Sequence, residues 1–442
     1  MTYADAIAYL LTFADFERTG RFDERPDLAP ILALLEALGD PHVGRPTVHI
    51  TGSKGKGSVA AMVESCLRAA GHTTGLYTSP HLHTYRERIR IGGNPVSEDE
   101  FISLTDAVSR AVDEITPALG DRRLLTFDLL TAMGFLAFRD DDVDAQVIEV
   151  GLGGRLDSTN VFETKDVAVF TPISLEHTDI LGDTAERIAR DKAGIIAQES
   201  TVVLAPQPYA EAADVIREAE AINVGHLVDV ARDYSWSASE HGLHGQIVRV
   251  ERAAGVVEAR VPLIGAHQAE NVATAVATID ALTTRTSLRV ADDAIVAGLG
   301  AVSWPGRMEV LREHPLVIAD GAHNRESARR LVEALRDYAS VERATFIVGS
   351  LADKNIEALA EEISPLAERV IATRSRHPRA MQPERIAAAF DALSVPVESA
   401  DTVAHAVDNA MAATRMGGVI CLLGSLFVAA EGREHLLAVP SD

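Results

Sequence analysis

Residues 47–64 read TVHITGSKGKGSVAAMVE, an apolar run, a glycine-rich turn and a helical pattern in immediate succession. A helix is expected over 57–70, with Val59, Met62, Val63, Cys66, Leu67 and Ala70 on one face and Gly71 as its stop. A strand–turn–helix of this kind points successive backbone N–H groups at one place, where the helix dipole also favours an anion. Gly52, Gly55 and Gly57 let the backbone approach a phosphate with no Cβ in the way. Lys56 would place a cation on the outer phosphates, and the Ser58 hydroxyl could assist them or a Mg²⁺ ion. The strict G-x-x-x-x-G-K-[ST] spacing is not met, because Gly57 separates Lys56 from Ser58.

Outward from this stretch, short β-rich runs alternate with amphipathic helical segments, which predicts an α/β fold with a largely parallel sheet. Strands are expected over 47–50, 145–150, 167–171, 201–204, 316–319, 344–348, 369–373 and 419–423. A second helix is expected over 325–338, beginning at Asn324, with Ala328, Leu331, Val332 and Leu335 inward. Segment 233–262 alternates polar and apolar residues between glycines and predicts antiparallel strands or a hairpin. The pattern restarts after 302–305, so two domains are expected, 1–302 and 303–442.

The chain has 442 residues, enough to bury real cores without disulfides or a structural metal. Its 41 basic and 65 acidic residues give a net charge of −24, and no dense basic face for a nucleic acid is visible. Arg374, Arg376 and Arg379 form a short basic cluster better suited to a small anionic ligand. Cys66 and Cys421 lie far apart without metal-ligand spacing, which fits a reducing compartment. The first residues lack a basic region, and Asp5 and Asp15 interrupt their apolar stretch. The apolar run 417–430 is shorter than the roughly 20 residues a bilayer needs. A cytoplasmic protein that binds neither nucleic acid nor membrane is expected.

TGSKGKGS at 51–58 resembles the G-[TS]-x-G-K-G-S loop of the folylpolyglutamate synthase/dihydrofolate synthase family, a branch of the Mur ligase superfamily. Further segments resemble that family in order, to about Gly432. They are TSPHLHTYRERIRIGG (78–93), LLTFDLLTAMGFLAF (124–138), AQVIEVGLGGRLDSTN (145–160), TPISLEHTDILGDTAERIARDKAGII (171–196), PLIGAHQAENVATAVA (262–277), WPGRMEVL (304–311), LVIADGAHNRESARRLVEAL (316–335) and LLGSLFVAAE (422–431). The resemblance implies an N-terminal P-loop ATPase domain of Mur-ligase type and a smaller, Rossmann-like C-terminal α/β domain that binds glutamate.

It also implies roles for single residues. Glu149 ends a buried apolar run before a glycine loop, where its carboxylate can hold Mg²⁺. Ser58, Ser79 and His177 complete the implied ligands of two Mg²⁺ ions, His177 resting on the resemblance alone because imidazole is an unusual Mg²⁺ ligand. Arg88, Phe127 and Asp157 fall at acceptor positions, with Phe127 either stacking on a pterin ring or simply packing its helix. Gln268, Asn271, Arg307 and Asp320 fall at ATP positions, and His323 and Ser425 at glutamate positions. Lys192 is the candidate for carbamylation, the alternative being an ordinary exposed lysine near a helix end. Glu176 stands where Asp is commoner, and Arg190 where Trp is often found. Arg376, His377 and Arg379 read either as carboxylate partners or as a solvated loop.

The activity so implied is ATP-dependent addition of L-glutamate to dihydropteroate or a reduced folate through an acyl phosphate, by a monomer. A Mur-type amide ligase acting on a non-folate carboxylic acid is the alternative. A regulatory nucleotide-binding module would be expected to lack Lys56, Glu149 or Asp320, and all three are present.

Overall fold

The computed structural model describes residues 1–20, 27–223 and 225–442. Its first sheet has eight strands: β1 (Thr47–Thr51), β2 (Thr74–Tyr77), β3 (Ile89–Ile91), β4 (Asn94–Pro95), β5 (Ala145–Glu149), β6 (Val167–Phe170), β7 (Thr201–Leu204) and β8 (His226–Asp229). They lie in the order β4-β3-β2-β5-β1-β6-β7-β8. All neighbours are parallel except the β2–β3 and β3–β4 pairs. Strands β1, β5, β6 and β7 are buried at every residue, as runs covered on both faces must be, which explains their continuous apolar character.

β1 lies between β5 and β6, so the strand order reverses about it. The loops leaving the carboxyl ends of these three strands therefore diverge around one crevice, where open α/β sheets hold ligands. Helix Lys56–Ala69 follows β1 and is almost wholly buried, because helices Ala266–Arg285 and Asp292–Ala301 pack against it. Contact there is close enough that a Cβ on Gly298 would sit 2.4 Å from the Cα of Cys66.

Segment 233–262 folds as an antiparallel sheet of β9 (Ser235–Gly242), β10 (Gly245–Arg252) and β11 (Gly255–Val261), ordered β11-β10-β9. The expected strand pairing is thus present, with one strand more than a hairpin. Its apolar face covers the same two helices.

The remaining strands are β12 (Glu309–Glu313), β13 (Leu316–Ala319), β14 (Ala344–Val348), β15 (Ala367–Ala372), β16 (Val397–Ser399) and β17 (Val419–Leu423). They form a sheet ordered β12-β13-β17-β14-β15-β16, antiparallel only between β12 and β13. Helix Arg325–Ala339 begins where expected, because the Asn324 side chain accepts the Ser327 N–H at 3.0 Å and caps it. Tyr338 of this helix donates its hydroxyl to Gln246 Oε1 at 2.7 Å, tying it to the three-stranded sheet. Among the described residues no helix is long and apolar enough to cross a membrane.

Candidate active site

A cavity of about 620 Å³ lies where the carboxyl ends of β1, β5 and β6 face those of β13 and β17. The residues assigned above to phosphate, metal, acceptor, nucleotide and glutamate positions line it, from both halves of the chain. The outcome was not implied by any one motif, since these residues come from nine separate segments.

The glycine turn is shaped by contacts that leave no room for side chains. Gly52 has φ +147°, and a Cβ there would lie 1.9 Å from Thr171 Oγ1. Gly55 has φ +89° and abuts Asn271, whose Oδ1 would be 2.6 Å from an added Cβ. Asn271 in turn donates to Gln268 Oε1 at 2.9 Å, so this pair braces the turn from the side. Gly57 lies under the half-buried indole of Trp304, whose Cζ2 would be 2.7 Å from a Cβ. The backbone of Ser53 is held by the Pro172 carbonyl at 2.9 Å, which leaves Lys56 to open the following helix at the cavity wall.

Glu149 ends β5 with its side chain buried at the cavity wall. Oε2 accepts the Ser79 N–H at 3.2 Å, and Oε1 accepts no hydrogen bond from the described residues. Burial pushes its pKa up, against the nearby cations Lys56 and Arg307. A carboxylate with a free oxygen in the cavity that Ser58 and Ser79 also line fits a hard cation that keeps water and phosphate as its other ligands. Among the described residues no three His, Cys, Asp or Glu side chains form a ready-made metal cage.

Asp157 is buried and tightly oriented: Oδ2 accepts the Leu152 N–H at 2.9 Å, and Oδ1 accepts from the Thr159 N–H at 3.0 Å and its hydroxyl. Phe127, half-buried, reaches over Gly151, where an added Cβ would meet its Cζ at 2.6 Å, and its ring lies 6.0 Å from that of Tyr77. Arg88 is buried and already committed, its guanidinium bound to the Glu17 carboxylate and donating to His81 Nδ1 at 2.9 Å.

Lys192 is only 4% exposed, so the ordinary solvent-facing lysine is ruled out. Its Nζ donates to the Gly52 carbonyl at 2.9 Å, and burial together with Lys56 lowers its pKa to about 7. His177 takes a left-handed conformation, φ 51°, at the start of helix Thr178–Leu181 and opens onto the cavity. The protein around its ring, with Lys354, Lys56 and Lys192 nearby, lowers its pKa to about 4 and keeps it neutral. Arg190 points away from the cavity and pairs with Glu186 at 2.9 Å on the exposed helix face.

On the opposite wall, Asp320 follows β13 and accepts the N–H groups of Met308 and Ala322, each at 2.8 Å. Burial raises its pKa against the nearby Arg307. Ser425 caps helix Leu426–Leu437 by accepting the Phe427 N–H at 3.2 Å. His323 is oriented through Nδ1, which donates to the Gly321 carbonyl at 2.9 Å. Its Nε2 faces Glu176 Oε1 at 3.3 Å, and Asn324 Nδ2 donates to the same oxygen at 3.2 Å. The Lys54 ammonium is ion-paired to that oxygen as well. Burial of Glu176 opposes ionisation, but Lys54 and His323 hold its carboxyl well below the usual range.

The basic cluster divides. Arg379 lines the cavity, donating to Asp353 Oδ1 and to the Glu17 carbonyl, both at 3.0 Å. Arg376 is paired with Glu431 and Glu434, and His377 stacks on Phe427 at 4.3 Å, so neither lines the cavity. Arg374 instead donates to Gln382 at 3.4 Å. The sequence reading missed Glu17, Lys54 and the bridging role of Glu176. Their partners lie more than 70 residues away, and no local spacing marks them.

Residues 122–279 match the Mur ligase middle domain, and residues 306–426 match the Mur ligase glutamate ligase domain. A dihydrofolate synthase/folylpolyglutamate synthase from Mycobacterium tuberculosis is 35% identical over 403 residues, covering 87% of this chain and 82% of the relative. A probable bifunctional folylpolyglutamate synthase/dihydropteroate synthase from Halobacterium salinarum is 36% identical over 98% of this chain, which spans only 52% of that relative. The solved Mycobacterium tuberculosis folylpolyglutamate synthase complexed with ADP superposes with a TM-score of 0.90 at 32% identity, over 99% of this chain and 100% of that one. The chain therefore belongs to the folylpolyglutamate synthase/dihydrofolate synthase family of Mur-type, amide-forming ligases.

Proposed function

We propose that this protein uses ATP to join L-glutamate to the carboxylate of dihydropteroate, a reduced folate or both, releasing ADP and phosphate. The observation that carries this reading is one cavity walled by a glycine turn on one side and by Asp320, His323 and Ser425 on the other. A carboxylate does not condense with an amine at neutral pH, because oxide is too poor a leaving group. Transfer of the ATP γ-phosphoryl group to the acceptor carboxylate gives an acyl phosphate. The glutamate amine adds to its carbonyl carbon, and the tetrahedral intermediate expels phosphate. The protein's share of this chemistry is positioning and charge neutralisation.

Within that scheme Lys56 and the N–H groups after Gly55 hold the transferred phosphoryl group, and Gln268, Asn271, Arg307 and Asp320 hold the rest of the nucleotide. Glu149, Ser58 and Ser79 would hold one Mg²⁺ ion, and His177 a second. Mg²⁺ bound there supplies charge neutralisation between the phosphates. Lys192 is the proposed carbamylation site: its neutral amine adds to CO₂ and sheds a proton, leaving a carboxylate beside His177. Phe127 and Asp157 receive the pterin end of the acceptor. Arg88, neutralised by Glu17, serves that end through shape and directed N–H groups, not net charge. His323 and Ser425 receive glutamate.

The domains are assigned as 1–302 and 303–442, with the cavity between them. The protein is read as a monomer acting on small molecules. Closing the halves over the nucleotide would shield the acyl phosphate from water.

The test is phosphate release with ATP, Mg²⁺ and glutamate, comparing dihydropteroate with tetrahydrofolate as acceptor. Turnover with both establishes a bifunctional enzyme, and turnover with one selects that activity. A protein that binds ATP but turns over neither acceptor overturns the folate assignment in favour of a non-folate carboxylic acid.

A further inference from the structure

Lys165 is buried, 5% exposed, and among the described residues no carboxylate pairs with it. Its Nζ lies 2.9 Å from His49 Nδ1 and 3.0 Å from Asn160 Oδ1, with the Phe162 ring centroid at 5.3 Å. His49 is fully buried in β1, and its Nε2 lies 2.9 Å from Thr159 Oγ1. The Thr159 hydroxyl has one proton, and that proton goes to Asp157 Oδ1.

These contacts fix the direction of every hydrogen bond in the chain. Because Thr159 donates to Asp157, its oxygen must accept from His49, so the imidazole carries its proton on Nε2. Nδ1 is then an acceptor, and only Lys165 reaches it with a donor among the described residues. Burial and the neighbouring lysine keep His49 neutral, as this arrangement requires. Either protonation state of Lys165 has the two N–H donors that His49 and Asn160 use. The other branch ends in Asn160 Nδ2, which donates to the Gly194 and Arg155 carbonyls at 2.9 and 3.2 Å and pins the loop that carries Asp157.

We propose that Lys165 is a positioning residue for the acceptor site, acting through His49 and Thr159 to aim the Asp157 carboxylate. Lys165 itself does not line the cavity. A buried amine is costly to retain, and an apolar side chain would pack there with no orphaned neighbours only if His49 and Thr159 changed too. The proposal rests on the reading of Asp157 as an acceptor contact.

The test measures KM for the acceptor and for glutamate in Lys165→Met, Thr159→Val, their double variant and Thr159→Ser. Lys165→Met and Thr159→Val should each raise the acceptor KM by about tenfold and leave the glutamate KM within about twofold. The double variant should be no worse than the more impaired single one, because both break one chain. Thr159→Ser keeps the hydroxyl and should stay near the parent.

A Lys165→Met protein that is less heat-stable but keeps the parent ratio of the two KM values overturns the proposal, and so do fully additive effects. Should Lys165→Met fail to fold, equal acceptor KM values for Thr159→Val and Thr159→Ser overturn it. Asp157→Asn separates the two levels: an unchanged acceptor KM removes the acceptor reading of Asp157 itself. A raised acceptor KM there with a silent Lys165→Met removes only the role of Lys165.

Discussion

Lys192 Nζ donates to the carbonyl oxygen of Gly52 across 2.9 Å, joining the end of helix Ala185–Lys192 to the first glycine of the turn after β1. The bond places an amine with a pKa of about 7 beside the site expected to hold phosphate and metal. Lys192→Ala should lose at least about a hundredfold in turnover, by analogy with removal of a charge-stabilising group. Short carboxylic acids should partly restore it by standing in for the carbamate. Phosphate release with and without added acetate checks this, and a fully active Lys192→Ala enzyme would sink the carbamate role.

Lys56→Ala should reduce turnover by about two to three orders of magnitude, since in the proposed arrangement it removes a cation that holds the transferred group. The folded state should be little affected, because Lys56 faces the cavity at the first turn of its helix. Single-turnover phosphate release alongside thermal melting separates the two effects; near-normal activity would remove the phosphate assignment.

Glu176→Gln tests the one carboxylate that Lys54, His323 and Asn324 share. With the charge removed, the glutamate KM should rise about three- to tenfold while ATP binding changes less. The same group makes an acid prediction. A carboxyl whose folded pKa is depressed contributes stability that is present above its unfolded pKa of about 4.5 and lost as pH falls below it. Glu176→Gln should therefore melt closer to the parent at pH 3 than at pH 6, as differential scanning calorimetry would read. A gap that stays constant between the two pH values would argue against the pairing.

Lys165 and Lys192 predict behaviour on the alkaline side. Each has a folded pKa near 7, below the unfolded value of about 10.4, so between these limits the unfolded chain binds more protons. Stability should thus rise with pH from about 7 to 9, by at most roughly 1.4 kcal/mol per pH unit for each lysine. Lys165→Met removes one of the two and should flatten the climb. Urea titrations at pH 7, 8 and 9 measure both slopes, and identical slopes would show that Lys165 is not neutralised on folding.

The parts of the molecule legible in the sequence are those where partners are neighbours along the chain. TVHITGSKGKGS displays its strand, turn and helix in twelve residues, and Asn324 announces the helix it caps three residues before the N–H it accepts. β12, Glu309–Glu313, was not expected, because an edge strand with an exposed, charged sequence has no apolar run to show. Arg376 read as a partner for a ligand carboxylate or as part of a solvated loop because Glu431 and Glu434, which it meets, are more than 50 residues further on. Glu176 meets His323 across 147 residues and Lys165 meets His49 across 116, separations that only folding brings together. The motifs and the resemblance they carry therefore picked out groups that line the cavity and missed those that hold these groups in place.

Trp304 covers Gly57 so closely that no Cβ fits between them, and the Arg90 guanidinium lies 5.7 Å from the indole ring. The chain has one other tryptophan, Trp236, in β9 of the three-stranded sheet. In a Trp236→Phe protein all indole emission would come from beside the glycine turn. The indole is thus placed to report on the glycine turn, and a stopped-flow fluorimeter would follow nucleotide arrival there, without any attached dye, if it alters the contact between Trp304 and Gly57.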